Sequence, residues 1–369
     1  MVKQKIYIVA GGTGGHVIPA IELANSLIKK DFNIHFFSDK RTAYLHKKDQ
    51  YKIIVLSIVS LRRKLIPLLY FIFSLVPTTL SIIYNFIVKR PKLVIIFGGY
   101  VCAPVAVIAY IFRVPIIIHE QNIVLGRTNK VIGRWAKYIL SAYPKDKMLH
   151  LSNLKSKVVY VGSYVRSEFI NSDKNSETRD NSNISIAVFG GSQGAKSLSM
   201  QIASALKEWS SSTKQKLNIY HQVPKALINE TTKVWQNSNI TYVVKNFFDN
   251  SSEVIKNADI IIARAGATSI AEFNAAGKVV IYVPYKLAMD DHQLQNACYQ
   301  VNNEAGFLVQ EDKNMYINIQ KYINMIVADD KIQQKISYNA KTLYRQDSLK
   351  QTLRLIKNCI NKSKDNDSI

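Results

Sequence analysis

The stretch that decides the fold runs from residue 5 to residue 16 and reads KIYIVAGGTGGH. The apolar run Lys5–Ala10 has the length of a strand and leads into the glycine turn Gly11–Gly15. Ile18-Pro19-Ala20 follows, and proline suits the first turn of a helix. Glycine tolerates a positive φ, and a helix N-terminus carries partial positive charge. The stretch therefore predicts a strand, a phosphate-binding turn and a helix.

The same pattern continues through the chain. The other predicted strands are Asn33–Phe37, Leu93–Phe97, Val114–His119, Ile184–Phe189, Leu217–His221, Asp259–Ala263 and Val279–Val283. Strands that alternate with helix-like stretches are typical of parallel sheets with helical crossovers. After Val161-Gly162 the chain is polar from Asn171 to Asn183, and then the pattern restarts. We expect two doubly wound α/β domains, residues 1–163 and 164–344, with ligands in a cleft beyond the carboxyl ends of the strands.

The composition restricts the class of protein. The 369 residues are 47% hydrophobic, and the formal net charge of +23 favours an anionic partner: nucleic acid, a phosphorylated substrate or an acidic bilayer. Scattered surface lysines are an equally weighted explanation of part of the charge. Cys102, Cys298 and Cys359 lack CxxC spacing, which argues against a disulfide framework and a thiolate metal site. The N-terminal apolar run is too short for a signal peptide, so we expect the protein to stay inside the cell.

One long apolar segment, Leu65–Val88, carries no charge and has basic residues on both sides, Arg62-Arg63-Lys64 and Lys89-Arg90. Its length would span a membrane. However, Pro67 and Pro77 interrupt it, and a single span would separate predicted strands of one sheet. Two interpretations of the segment remain: a buried crossover helix, or an apolar surface that enters the membrane interface. The basic flanks favour membrane contact.

Two glycine motifs allow other classes of nucleotide-binding protein. Gly190–Ser197 nearly matches a P-loop, but Ala195 stands where a Walker A motif needs glycine, and no later strand ends in a magnesium-binding Asp. Asp39 closes the second strand where a dinucleotide fold places its ribose-binding acid. The first glycine turn does not match GxGxxG, so a nicotinamide enzyme is only a formal alternative.

A third turn, Ala263–Gly266, precedes a predicted helix that begins with small and hydroxylated residues. Small residues let a diphosphate approach the N-terminus of a helix. Glu272, one turn into the helix, has the chemistry to accept hydrogen bonds from ribose hydroxyls. A glutamate favoured there by the helix dipole is the alternative.

Six motifs occur in order: Gly11–His16, Gly98-Gly99-Tyr100, His119–Asn122 with Thr128-Asn129-Lys130, Gly190–Ala195, Arg264–Glu272, and Asp290–Gln293 with Asn296-Ala297. Together they resemble the MurG family, the N-acetylglucosaminyltransferases of bacterial peptidoglycan synthesis. The resemblance covers nearly the whole chain. It implies the GT-B fold, an acceptor-side and membrane-side first domain, a UDP-sugar-binding second domain, and a last helix, 345–369, that returns to the first domain.

The resemblance also implies the reaction and its setting. N-acetylglucosamine would pass from UDP-N-acetylglucosamine to undecaprenyl-pyrophosphoryl-muramyl-pentapeptide, with no cofactor. The protein would bind peripherally to the anionic cytoplasmic face of the inner membrane. A related GT-B transferase acting on another lipid or a small molecule is the alternative. A nucleic-acid-binding protein is disfavoured, because no basic run interleaved with aromatics occurs.

The site residues follow from the matched motifs. The resemblance places four residues beside the sugar and acceptor: Thr13, Gly14, Gly15 and Asn122. It places five at the UDP-sugar phosphates: Arg166, Ser192, Ala267, Thr268 and Ser269. It also places Glu272 on the ribose, the backbone of Phe248 at the uracil, and Gln293, with His292 beside it, at the transferred sugar. The chain has Ser163-Tyr164 where the family usually has Asn-Pro, and Ala265 where Ser or Gly is common.

The chemistry needs one base. Transfer that inverts the anomeric carbon requires deprotonation of the acceptor hydroxyl. His16 is the first candidate, and its alternative role is a hydrogen bond to loop backbone or to the acceptor diphosphate. Glu120 is the second candidate, and its alternative role is to hold the loop through ion pairing. No metal is expected, because the Asp-x-Asp pattern occurs only at Asp365-Asn366-Asp367; helix N-termini and Arg166 would stabilise the leaving diphosphate.

Overall fold

The structure is a computed structural model that describes residues 3–46, 50–57, 65–170, 183–190, 196–213, 216–236, 238 and 240–365. The chain divides into two compact units. Unit 1 comprises Met1–Tyr164 and Arg345–Ile369, and unit 2 comprises Val165–Tyr344. The polar stretch that prompted the predicted boundary lies mostly outside the described residues.

Unit 1 is built around a seven-stranded sheet. Its strands are β1 Lys5–Ala10, β2 Asn33–Asp39, β3 Lys52–Leu56, β4 Leu93–Gly98, β5 Ile116–Glu120, β6 Tyr138–Ser141 and β7 Val158–Tyr160. Its first helices are α1 Gly14–Ile28, α2 Leu65–Val88, α3 Cys102–Ile111 and α4 Arg127–Ile132. The strands are parallel in the order β3-β2-β1-β4-β5-β6-β7.

Unit 2 repeats this plan with six parallel strands in the order β10-β9-β8-β11-β12-β13. The strands are β8 Asn183–Phe189, β9 Lys216–Gln222, β10 Thr241–Lys245, β11 Ile260–Ala263, β12 Val279–Tyr282 and β13 Phe307–Leu308. The helices are α5 Ser167–Ile170, α6 Lys196–Ser212, α7 Ile228–Trp235, α8 Ser251–Asn257, α9 Ala267–Ala275, α10 His292–Asn302, α11 Met315–Ala328 and α12 Asp330–Leu343. The strand order reverses between β1 and β4 and again between β8 and β11.

The last helix, α13 Ser348–Asp365, belongs to unit 1. It buries Ile356 and Ile360 in the same core as Ile6 and Ile8 of β1 and the apolar face of α1. Tyr164 Oη and Thr352 Oγ1 lie 2.7 Å apart in a buried hydrogen bond. These contacts tie the end of the chain to the first sheet.

The opposite face of the first sheet packs against α2. Tyr7 of β1 donates hydrogen bonds to the carbonyl oxygens of Asn85, at 2.7 Å, and Lys89, at 2.8 Å. The Tyr7 ring also packs edge-on against Phe86 of α2. The segment Leu65–Val88 is therefore a crossover helix. Among its described side chains, Leu80, Tyr84 and Ile87 are 61–66% exposed. In the described part of the chain, no helix has both the length and the apolar character that crossing a membrane requires.

The predicted fold class is confirmed, since both units are doubly wound parallel α/β domains. Every predicted strand is present, with ends shifted by at most two residues. The predicted start of the first helix is wrong. The helix begins at Gly14, because the last residues of the glycine turn are themselves helical, and Pro19 therefore lies in its second turn. This early start places His16 in the first turn of α1.

Candidate functional site

The first reversal of strand order brings two glycine turns together in unit 1. At the ends of β1 and β4, Gly11 N donates to Gly98 O at 3.2 Å. Gly12 and Gly99 have φ values of 89° and 93°, a region that favours glycine. A Cβ atom on Gly99 would overlap the Gly11 carbonyl. These contacts explain why glycine is needed in both turns, at the point where doubly wound sheets bind ligands.

His16 lies against both turns. Its Nδ1 is 3.1 Å from Gly11 O, and a Cβ atom on Gly98 would lie 2.9 Å from its Nε2. Gly98 therefore makes room for the imidazole ring. When Nδ1–H donates to the Gly11 carbonyl, Nε2 carries the lone pair that a base needs. Thr13 is exposed at the N-cap of α1, and its side chain does not cap the helix.

Asp39 holds the first glycine turn, Gly11–Gly15, through hydrogen bonds. Asp39 is 2% exposed, and its carboxylate accepts hydrogen bonds from Gly12 N at 2.8 Å and Arg41 Nη2 at 2.6 Å. Burial alone would raise the pKa of this carboxyl, but Arg41, with bonds from Gly12 and Thr42, holds that pKa below its usual value. The Asp39 carboxylate thus fixes the glycine turn. The nicotinamide alternative instead requires this carboxylate to accept hydrogen bonds from a ribose.

Glu120, at the end of β5, fixes a second loop. It is 1% exposed, and its two oxygens accept four hydrogen bonds of 2.8–3.2 Å. The donors are the backbone N–H groups of Asn122 and Gly126 and the side-chain amides of Asn122 and Asn129. The predicted loop-holding role thus operates through amides rather than through ion pairs. This geometry favours that role over the role of base.

The second reversal of strand order, in unit 2, also joins two strand ends. Arg264 N, just after β11, donates to Phe189 O at the end of β8 at 3.2 Å. Residues 191–195, which follow β8 and Gly190, lie outside the described residues, and with them the predicted phosphate ligand Ser192. α9 begins after Gly266, and a Cβ atom there would meet nothing within 4 Å. The small residues Ala267, Thr268 and Ser269 therefore start a helix beside open space.

Arg166 and Glu272 are brought together in unit 2. Arg166 Nε donates to Glu272 Oε1 at 2.8 Å, and Arg166 Nη2 lies 3.4 Å from Ser251 Oγ. Glu272 is 6% exposed and is the sixth residue of α9, beyond its first turn. Because the helix dipole acts mainly within the first turn, it gives a poor account of this glutamate.

The loop before α10 is strained. Asp290 and Asp291 have φ values of 53° and 52°, in the left-handed region, where consecutive non-glycine residues are uncommon. Gln293 Oε1 accepts a hydrogen bond from Tyr285 N at 2.9 Å, and His292 Nδ1 lies 2.7 Å from Met289 O. Backbone strain of this kind is concentrated at ligand-binding sites. The hydrogen bond from Tyr285 N orients the Gln293 amide.

Comparison with known proteins gives the family. Residues 6–141 match the N-terminal domain of glycosyltransferase family 28, and residues 185–352 match its C-terminal domain. The chain is 33% identical to the UDP-N-acetylglucosamine–N-acetylmuramyl-(pentapeptide) pyrophosphoryl-undecaprenol N-acetylglucosamine transferase of Rickettsia canadensis (strain McKiel), over 91% of this chain and 94% of the relative. It is 32% identical to the transferase of the same name from Wolbachia pipientis wMel, over 85% and 87% of the two chains.

The crystal structure of Acinetobacter baumannii MurG superposes with a TM-score of 0.76 at 25% sequence identity, covering 96% of this chain and 99% of that one. The chain belongs to the MurG family. The resemblance drawn from the six ordered motifs is thereby confirmed.

Phe248, the predicted uracil neighbour of the MurG family, is 5% exposed and packs in the core of unit 2. Its ring contacts those of Phe189 and Tyr220. A contact with a base would therefore use its backbone, as the resemblance implies.

Two residues of the MurG-family motifs hold turns in ways that the sequence does not reveal. Arg264 Nη1 donates to the carbonyls of Val283 and Pro284 and to Glu311 Oε2, the last at 2.8 Å. Buried Asn296 donates to Ala265 O at 3.3 Å. Their motifs mark them as special, but their partners are distant in sequence.

The described residues contain no group of three or more His, Cys, Asp or Glu side chains that could hold a metal ion. The positive charge nearest the predicted ribose ligand comes from Arg166, at 2.8 Å from Glu272. The N-terminus of α9 adds partial positive charge.

Proposed function

We propose that the chain transfers N-acetylglucosamine from UDP-N-acetylglucosamine to the muramyl sugar of undecaprenyl-pyrophosphoryl-muramyl-pentapeptide (lipid I), giving lipid II. The observation that carries the proposal is family membership: relatives aligned over 91% of the chain carry this activity in their name. The two reversals of strand order supply groups that suit such a reaction. A transferase for another acceptor gains no support from any observation on the site.

Unit 2, residues 165–344, binds the UDP-sugar in this proposal. The N–H groups at the start of α9 receive the diphosphate, because Ala267, Thr268 and Ser269 are small and the turn before them is open. Glu272 accepts hydrogen bonds from the ribose hydroxyls. Arg166 fixes the Glu272 carboxylate and offsets part of the negative charge of the leaving UDP. Gln293, oriented by Tyr285 N, holds the transferred sugar.

Unit 1, residues 1–164 with the returning helix α13, binds the acceptor. His16 Nε2 removes the proton from the acceptor hydroxyl as the hydroxyl oxygen attacks the anomeric carbon. The bond to UDP then breaks on the opposite side of the sugar, so the configuration inverts. Asp39 and Glu120 keep the loops on either side in place through buried hydrogen bonds.

A transfer assay tests the proposal. The purified chain is incubated with labelled UDP-N-acetylglucosamine and a muramyl-pentapeptide-pyrophosphoryl-polyprenol in detergent. Labelled disaccharide lipid is the expected product, whereas UDP-glucose should give little product and chelation of divalent metals should change little. Failure to label this acceptor, with transfer to a different lipid under the same conditions, would overturn the assignment.

The protein binds peripherally to the anionic cytoplasmic face of the inner membrane in this proposal. Leu80, Tyr84 and Ile87 of α2 are 61%, 63% and 66% exposed at helical spacing. Tyr110 and Ile111 of α3, which contacts α2, are also more than half exposed. Apolar side chains on such a surface insert into the interface while neighbouring basic residues meet anionic headgroups.

Matched substitutions test the membrane surface. Tyr84→Asp should reduce co-sedimentation with anionic vesicles, whereas Tyr338→Asp, at a tyrosine 70% exposed in unit 2, should not. Circular dichroism checks that both variants fold. Equal vesicle binding by the two variants would show that this face of α2 does not meet the membrane.

A further inference from the structure

Three lysines converge at the amino ends of the first strands of unit 1, opposite the glycine turns. Lys5 begins β1, Lys52 begins β3, and Lys89 directly follows α2. The register pairs Tyr7 with His35 and His35 with Lys52, so these three residues stand side by side on the face that packs against α2. Lys5, two residues before Tyr7, points to the same face.

The end of α2 is fixed above this face. Tyr7 donates to the Lys89 carbonyl, which anchors Lys89 beside the strands. Lys52 and Lys89 are close enough for the positive charge of Lys89 to act directly on the ammonium group of Lys52. The contact and charge of Lys89, then burial and Lys5, lower the pKa of Lys52; burial and Lys89 lower the pKa of Lys5. The three ammonium groups therefore repel one another.

Nothing in the described residues neutralises these charges. None of the three lysines forms an ion pair with a described carboxylate. The C-terminus of α2 offers only about half a negative charge, and the carbonyls of Asn85 and Lys89 already accept from Tyr7. The three positive charges of Lys5, Lys52 and Lys89 thus favour the binding of an anion.

His35 adds a polar group to the same place. It is 4% exposed, and its Nδ1 is buried without a hydrogen-bond partner. Burial first, and then the charges of Lys5, Lys89 and Lys52, lower the pKa of His35 to about 4. A bound anion would reverse the electrostatic part of this effect.

We propose that Lys5, Lys52, Lys89 and His35 form a binding site for a phosphate group, supplied by an anionic lipid headgroup or by free phosphate. Ammonium groups are strong hydrogen-bond donors to phosphate oxygens, and one phosphate would relieve the repulsion among all three lysines. The site lies at the amino ends of the strands, so it is distinct from the site of sugar transfer. Ile87 and Val88, both exposed, directly precede Lys89, so the exposed apolar side chains of α2 extend as far as this lysine.

Thermal unfolding in phosphate tests the site, with chloride at equal ionic strength as the reference. Phosphate should raise the unfolding midpoint of the full chain and shift the His35 ring resonances in NMR spectra. Lys52→Gln should weaken phosphate binding about tenfold, the effect of one charged hydrogen bond. Exposed Lys30→Gln, beyond the end of α1 on the opposite face, makes the same charge change and should leave the response intact. Lys52 is itself exposed, so its replacement should not unfold the chain.

Vesicle binding separates the two sources of phosphate. With a lipid headgroup in the site, Lys52→Gln binds phosphatidylglycerol vesicles in chloride buffer more weakly than Lys30→Gln. With free phosphate only, the two variants bind these vesicles equally and still differ in their response to phosphate. Equal behaviour of the two variants in both experiments would overturn the proposal.

Transfer to a detergent-dispersed acceptor should be unchanged in Lys52→Gln. A failure of the phosphate site is therefore distinguishable from a failure of the proposed sugar transfer.

Discussion

The two reversals of strand order share a topology but are held by opposite charges. In unit 1, buried carboxylates accept from loop N–H groups: Asp39 from Gly12, and Glu120 from Gly126 and its neighbours. In unit 2, Arg264 donates to the loop carbonyls of Val283 and Pro284. Negative charge under the first turn favours the imidazolium that forms when His16 takes a proton, and positive charge in unit 2 favours a departing diphosphate. The contrast shows how one fold, used twice, can serve two steps of one reaction.

Loss of the base should give the largest effect. His16→Ala should lower kcat by about 10²–10⁴-fold, the range for a general base, with the KM for UDP-N-acetylglucosamine nearly unchanged. Steady-state kinetics with both substrates varied measures the split. His150→Asn, at an exposed histidine of unit 1, is the matched control, and asparagine tolerates its φ of 63°. An unchanged kcat in His16→Ala would assign the proton transfer to another group.

The next effect concerns stability in unit 1. Glu120→Ala leaves several buried donors without partners and should cost about 3 kcal/mol of unfolding free energy. The midpoint of urea unfolding measures it, with Asp146→Ala, at an exposed carboxylate of the same unit, as the control. A large loss of kcat without a change in midpoint would restore Glu120 as a candidate base.

A smaller effect is expected in unit 2. Glu272→Gln should raise the KM for UDP-N-acetylglucosamine about 10–100-fold, because charged hydrogen bonds contribute about 1.5–3 kcal/mol. Glu253→Gln changes an exposed carboxylate of the same unit and should have little effect. Equal KM values for the two variants would remove Glu272 from the ribose site.

Asp39→Asn should give the smallest effect, about 1–2 kcal/mol of stability at neutral pH. Because the folded pKa of Asp39 lies below its usual value of 3.8, its contribution is present above that value and is lost as the pH falls through the folded pKa. Unfolding curves of wild type and variant should therefore differ at pH 7 and converge in acid. A difference that persists at pH 2 would mean that Asp39 acts by packing rather than by charge.

Local sequence predicts most of the fold. Central strands such as β4 and β11 are buried on both faces and read as continuous apolar runs; β4 ends in glycine, and Asp259 directly precedes β11. β7 and β13 have only three and two residues, too few for any periodicity, and exist because β6 and β12 offer edges to pair with. Local sequence does not predict the early start of α1 at Gly14, because glycine has a low helix propensity.

The site was predictable where its chemistry is local. Glycine turns and small residues at helix starts carry their own signal, as at Gly12 and Ala267. The residues that hold these turns carry no such local signal, because their partners are distant in sequence: Asp39 and Gly12 are 27 positions apart, and Arg264 and Glu311 are 47 apart. Such pairs meet only when the strand ends are side by side.

The most direct test of the division between the two units is calorimetric titration of UDP into three proteins: wild type, His16→Ala and Glu272→Gln. UDP should bind His16→Ala as tightly as wild type and should bind Glu272→Gln about 10–100-fold more weakly. A comparable loss of UDP affinity in His16→Ala would contradict the assignment of the base to unit 1 and of UDP to unit 2.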